Sequence, residues 1–311
     1  QAKGERVQNQ LLEIGNIFNS NKSNDFVIFK EANKNDLNKY NFFILCGDAK
    51  ITFNRALIEK YLNIKLTKKP RLIRDVTYLR IIPKIRNLDV NVFPRFTWNS
   101  ILPGKQNFPY DKSYNRWLEI KNKYNLHIKD YRKLGDKILF FLQIPTDASL
   151  NELNFNNDGY LNFMIRTIKD IFKYSDRKIV LRSHPLNRKN DVIANFLLNH
   201  FRETKKVFLS NNEKLSDDLK DTKCVVSYNS SATVEALFDG INVINLSKMQ
   251  PCFSAANNTL SAIENLKELN REDFLRKIAF LHWESEEIKS LEIKKYLCNL
   301  LEKSIPKKSD A

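Results

Sequence analysis

Between residues 136 and 246 the chain switches repeatedly between two rhythms of apolar and polar positions. The run 137–142 is almost wholly apolar and reads as a buried strand. After a polar loop, residues 160–174 carry apolar side chains at Leu161, Ile165, Ile168, Ile171 and Phe172, which is helical spacing. Further strands are predicted over 178–181, 206–209, 224–227 and 241–244, and further helices over 191–201, 214–220 and 231–238. Strands and helices alternating at these intervals predict an α/β fold with a parallel sheet covered on both faces. In such a sheet ligands bind beyond the C-terminal ends of the strands.

The first 135 residues are less regular. Strands are predicted over 25–30 and 41–46, a helix over 53–62 and a mixed segment over 71–82. Residues 83–117 hold four of the nine prolines and two of the three tryptophans, with Arg86, Arg95 and Arg116 among them. Such an aromatic, arginine-bearing stretch is either a binding surface or an irregular connection packed on the core. The domain limits are expected at 135/136 and 270/271, with a helical segment 271–311 at the end.

Composition adds one strong feature, a formal charge of +16 from 52 Lys and Arg against 36 Asp and Glu. That excess favours a polyanionic partner: nucleic acid, an anionic membrane surface or an anionic glycan. A preference for AT-rich codons explains the many Lys and Asn but not the shortage of acids. No stretch approaches the roughly 20 apolar residues that cross a bilayer, and a cytoplasmic location is expected. Cys46, Cys224, Cys252 and Cys298 are scattered without metal-ligand spacing, so they read as buried bystander thiols.

Two short motifs fall at predicted strand ends. In Arg182-Ser183-His184-Pro185 the proline fixes the backbone just past the strand, and strand alternation puts Arg182 and His184 on one side. In Asn229-Ser230-Ser231-Ala232-Thr233 hydroxyls stand between a strand and a helix, where they either cap the helix, with Glu235 following, or hold a phosphate. A cation and a histidine on one loop, with hydroxyls on a later one, make a diphosphate clamp.

The order strand–His-Pro, then strand–Ser-Ser–helix running into Ala236–Ile244, resembles the C-terminal half of GT-B glycosyltransferases. Bacterial sialyltransferases and capsule Kdo transferases carry these motifs in this order, against the donor nucleotide. Residues 176–185, with Gln143-Ile144-Pro145-Thr146-Asp147 before them, are more similar to phage glycosyltransferase-like proteins associated with hydroxymethylated pyrimidines in DNA. Leu215–Leu219 and the stretch 282–288 add to that likeness, which spans roughly 136–290. The resemblance implies two Rossmann-like domains with the nucleotide cleft between them and C-terminal helices. Residues 1–135 would bind the acceptor and 136–270 a nucleotide sugar, most simply a UDP-sugar. The implied donor residues are Gln143, Arg182, His184, Asn229, Ser230, Ser231, Thr233 and Glu235. Sialyltransferases of this type place an acidic pair before a glycine in the N-terminal half. This chain has Asn157-Asp158-Gly159 instead, which speaks against sialic acid as the donor sugar.

Glycosyl transfer to a hydroxyl needs a proton acceptor, for which Asp48, Asp75 and Asp147 stand near predicted strand ends, Asp48 foremost. No metal-binding acidic pair stands at a strand end, and Asp217-Asp218 is expected to face solvent, so metal-independent transfer is expected. The first acceptor expected is a hydroxymethylated pyrimidine in duplex DNA. Arg86, Arg95 and Lys105 would bind phosphates there, while Trp98 and Trp117 fill the gap left by a flipped base. The alternatives are capsule or lipopolysaccharide synthesis at the inner membrane surface, or nucleic-acid binding without catalysis.

Overall fold

The computed structural model describes residues 3–19, 43–46, 70–82, 93–98, 115–145, 147, 150, 157–250, 252–290 and 292–297. The chain forms two compact units, one of residues 125–274 and one of residues 1–124 with 275–311. The last segment therefore groups with the first unit rather than standing alone, and residues 125–135 belong with the second. The cause of the latter is local pairing: Lys129 donates its N–H to Phe238 and Arg132 to Gly240, at 3.1 and 2.7 Å. The Arg271 guanidinium also stacks on the Tyr131 ring at 3.8 Å.

The second unit runs β4 (Lys137–Phe141), α3 (Asn157–Tyr174), β5 (Lys178–Arg182), α4 (Val192–His200), β6 (Val207–Leu209), α5 (Leu215–Leu219), β7 (Thr222–Ser227), α6 (Ala232–Phe238) and β8 (Asn242–Asn245). Every element predicted for this stretch is present, within two residues at strand ends and three at the start of α3. The five strands are all parallel, in the order β6-β5-β4-β7-β8. From β4 the chain winds outward through β5 and β6, then returns to the other side of β4 for β7 and β8. This is a doubly wound, Rossmann-like topology, and the reversal between β4 and β7 is its switch point.

The sheet holds because its strands are apolar on both faces. Ile138, Phe140, Leu181, Cys224 and Val226 meet Tyr160, Met164, Ile168 and Ile171, the i, i+4, i+8, i+11 stripe of α3, with Ala194 and Leu197 of α4. Truncating one of the larger of these side chains costs about 2–5 kcal/mol, so the frame under the strand ends is rigid. Gly240 closes α6 at φ +79°, and a Cβ there would lie 2.1 Å from the Asp130 carbonyl oxygen, so no other residue fits.

In the first unit, α1 (Lys3–Asn19), β1 (Phe43–Cys46), β2 (Arg71–Asp75), β3 (Arg95–Trp98) and α2 (Arg116–Lys123) precede the second unit, and α7 (Arg271–Ala279) leads back into this one. β1 pairs with β2 in parallel, as an α/β unit requires, and β3 adds antiparallel to β2. The predicted strand over 25–30 and helix over 53–62 lie outside the described residues.

Candidate functional site

The site is built on the row of residues just past the sheet. Phe141 is in register with Arg182 on one side and with Ser227 on the other. Two residues further along these three strands stand Gln143, His184 and Asn229. Gln143 and Asn229 meet at the switch point. The Asn229 N–H donates to Gln143 Oε1 at 3.2 Å, and Gln143 Nε2 donates to Asn229 Oδ1. The backbone N–H of Gln143 in turn donates to the buried Tyr160 hydroxyl at 2.8 Å, which anchors this clasp to α3.

The turn between β7 and α6 is tied down from beneath. The Ser230 N–H donates to Ser227 Oγ at 3.1 Å, and the Ser230 carbonyl accepts from Thr233 Oγ1 at 2.7 Å and Gln250 Nε2 at 3.3 Å. Thr233 Oγ1 itself accepts from Gln250 Nε2 at 2.9 Å and from the Cys252 thiol at 3.3 Å. Thr233, expected on the donor side, is thus a fully buried support behind the turn, because its hydroxyl is committed to the backbone. Ser230 and Ser231 are half-exposed. The Ser230 Oγ accepts from Ala232 N–H at 3.3 Å, and neither the Ser231 hydroxyl nor its N–H is bonded among the described residues. Gln250 is the supporting residue that sequence reasoning missed, since nothing in the period of its loop singles it out.

His184 stands half-buried at the end of β5. The Leu186 N–H donates to its Nδ1 at 3.2 Å, which leaves the proton of the neutral ring on Nε2. Beside it the Ser183 hydroxyl is buried with no partner among the described residues.

Arg182 corrects the expected clamp. Its guanidinium is buried against Asp218 and donates to the carbonyls of Asn212 and Glu213, both at 3.0 Å. Asp218, expected in solvent, is 1% exposed and also accepts from Ser210 Oγ at 2.6 Å and Asn212 Nδ2 at 2.8 Å. Asp217 is the exposed member of that pair, bonded to Lys220 at 2.9 Å. Burial lowers the Arg182 pKa, opposed by Asp218 and more weakly by Glu235, which places Glu235 in electrostatic reach of Arg182. The charge of Arg182 is spent on holding the loop before α5, so a phosphate would compete with Asp218 for it.

The acceptor-side expectations fare differently. Asp75 ends β2, but its carboxylate accepts from Arg95 Nη2 at 2.7 Å and from Val76 N–H at 2.7 Å, so both oxygens are engaged. Arg95, expected on DNA phosphates, is 4% exposed and stacks on Tyr78 at 4.0 Å. Trp117, expected to fill the gap of a flipped base, is wholly buried in the core, and so is Arg116. Asp48, Arg86 and Lys105 lie outside the described residues, as does the side chain of Trp98 in β3. Asp147 is half-buried in the turn after β4, where its carbonyl accepts from Leu150 N–H at 3.0 Å.

Among the described residues no cluster of His, Cys, Asp and Glu has metal-binding geometry, and no helix is long and apolar enough to cross a membrane. Cys224 and Cys252 are free and buried, and burial pushes both thiols up to about 12, as inert bystanders require.

No protein-family model matches the chain, and no curated protein matches it. Solved structures similar to it include two of KpsC from Thermosulfurimonas dismutans. The beta Kdo 2,7 transferase is 14% identical with a TM-score of 0.44, covering 92% of this chain and 95% of that one. The beta Kdo 2,4 transferase is 13% identical with a TM-score of 0.47, covering 82% of this chain and 86% of that one.

Proposed function

We propose that the chain is a glycosyltransferase of GT-B type whose second unit binds a nucleotide-sugar donor at the C-terminal edge of its parallel sheet. The observation that carries this reading is the Gln143–Asn229 clasp at the switch point, with His184 on the neighbouring strand and the half-exposed Ser230–Ser231 turn beside it. The donor's diphosphate accepts from His184 Nε2 and the two serine hydroxyls, which stabilise the nucleotide as it departs. Gln143 and Asn229 set the spacing of the two strand ends. The acceptor's proton goes to an aspartate, for which Asp48 and Asp147 are the candidates kept, since Asp75 is held by Arg95. Catalysis without a metal remains part of the proposal, to be tested by transfer in the presence of a chelator.

For the acceptor, we favour a capsule or lipopolysaccharide glycan at a membrane surface. Burial of Arg95 and Trp117 removes two of the five residues meant for DNA, whereas an uncharged helix with exposed apolar side chains favours the membrane. The test is a thermal-shift screen of nucleotide sugars, UDP-sugars first, followed by label transfer to lipid-linked oligosaccharide and to hydroxymethylated duplex DNA. A donor that raises the melting temperature, with label on the oligosaccharide, is the expected result. If no nucleotide sugar binds, the donor reading is lost; label on the DNA alone restores the other acceptor.

A further inference from the structure

Seven large hydrophobic side chains are more than about two-fifths exposed among the described residues, and three lie within eleven positions: Leu186 at 82%, Val192 at 76% and Phe196 at 45%. Val192 and Phe196 share one face of α4 at i and i+4, with Leu186 in the turn leading into that helix. Along its nine residues, VIANFLLNH, α4 has no charged side chain, which is unusual for a helix with a solvent face. The other face of α4 is accounted for, with Ala194 and Leu197 fully buried in the core.

Charge is gathered instead at the two ends of the helix. Lys189 stands before it, Arg202 and Lys205 after it, all exposed and none ion-paired among the described residues. Over residues 186–206 the two acids are Asp191 and Glu203. Asp191 is buried and turned inward as the N-cap, its Oδ1 accepting from Ala194 N–H at 3.0 Å. Glu203 is therefore the one acid this stretch shows to solvent.

We infer that α4 and the turn before it dock on an anionic lipid bilayer. Leu186, Val192 and Phe196 enter the boundary between headgroups and acyl chains, while Lys189, Arg202 and Lys205 contact headgroup phosphates. The apolar members decide between polyanions: a nucleic-acid backbone uses the cations but gains nothing from an exposed valine and leucine. The same turn carries His184, whose Nδ1 accepts from Leu186 N–H, so docking brings the donor edge of the sheet to the membrane where a lipid-linked acceptor lies. This inference supplies the surface for the acceptor proposed above. Nucleotide binding is measured separately, so failure of one leaves the other standing.

The experiment is flotation of the full chain with vesicles of phosphatidylcholine, with or without phosphatidylglycerol. The wild type is expected to float with the mixed vesicles and much less with phosphatidylcholine alone. Val192→Ser with Phe196→Ser should lower the bound fraction about tenfold or more, because each buried apolar side chain stabilises the docked state. Lys189→Glu with Lys205→Glu should lower it about tenfold or more at low salt. All four positions are exposed, so circular dichroism and melting temperature should match the wild type. Flotation that is absent in the wild type, or undiminished in Val192→Ser with Phe196→Ser, overturns the inference. So does a surface that retains duplex DNA through Lys189 and Lys205 while vesicles go unbound.

Discussion

Both units bury polar side chains heavily, but the two sets are built to different ends. In the first unit the set closes on itself. Arg116, 1% exposed, lies 3.7 Å over the Trp283 ring, donates to the His282 carbonyl at 2.7 Å and pairs with Glu287 at 2.6 Å. His282 accepts from Tyr78 N–H at 3.0 Å and donates from Nδ1 to the Ile278 carbonyl at 2.7 Å. Gln10 accepts from Arg74 at 2.9 Å and donates to Ser285 at 2.7 Å. In the second unit Thr233, Gln250 and Ser227 fasten the base of a turn whose upper side, Ser230 and Ser231, stays half-open. Cations satisfied by neighbours hold a fold together, whereas groups secured on one side and open on the other can receive a ligand.

That contrast can be broken in four places. Arg116→Ala should cost about 3 kcal/mol of stability, because it strands the His282 carbonyl and the Glu287 carboxylate; a denaturant midpoint close to wild type would sink the idea that this arginine is structural. His184→Ala should do the reverse, weakening donor binding about 10- to 100-fold by calorimetry while leaving the melting temperature nearly unchanged. Asn229→Ala belongs to both classes. It should lower stability by about 1–2 kcal/mol and donor affinity as well, and a loss of one without the other would separate strand spacing from ligand contact. The smallest effect concerns His282, whose pKa burial lowers from 6.5 to about 3. The unfolded chain takes up this proton first, so the wild type should lose about 1 kcal/mol as pH falls from neutrality to about 5.5. His282→Asn should flatten that part of the stability profile; an unaltered slope would mean that other groups set it.

The second unit was legible in the sequence because its strands are continuously apolar and α3 keeps a strict helical stripe, so period and tertiary role agree. The two motifs were legible for the same reason, since strand ends in a parallel sheet come to one edge. Arg182 was misjudged because alternation tells on which side a cation leaves the strand, not which acid meets it there. Asp218, thirty-six positions later, was invisible as its partner. Arg95 and Trp117 show the same limit in the first unit. An aromatic, arginine-rich stretch has one composition whether it covers a core or a ligand, and only contacts such as Asp75 and Tyr78 decide.

The return of residues 275–297 to the first unit has a consequence for how the chain is made. Phe96 N–H donates to the Leu281 carbonyl at 2.7 Å and Trp283 N–H to the Pro94 carbonyl at 3.1 Å, so β3 waits for residues synthesised nearly two hundred positions later. The second unit, continuous from 125 to 274, has every strand of its sheet before those residues leave the ribosome. On a growing chain the second unit is finished first, and the unit that began earlier is the last to close.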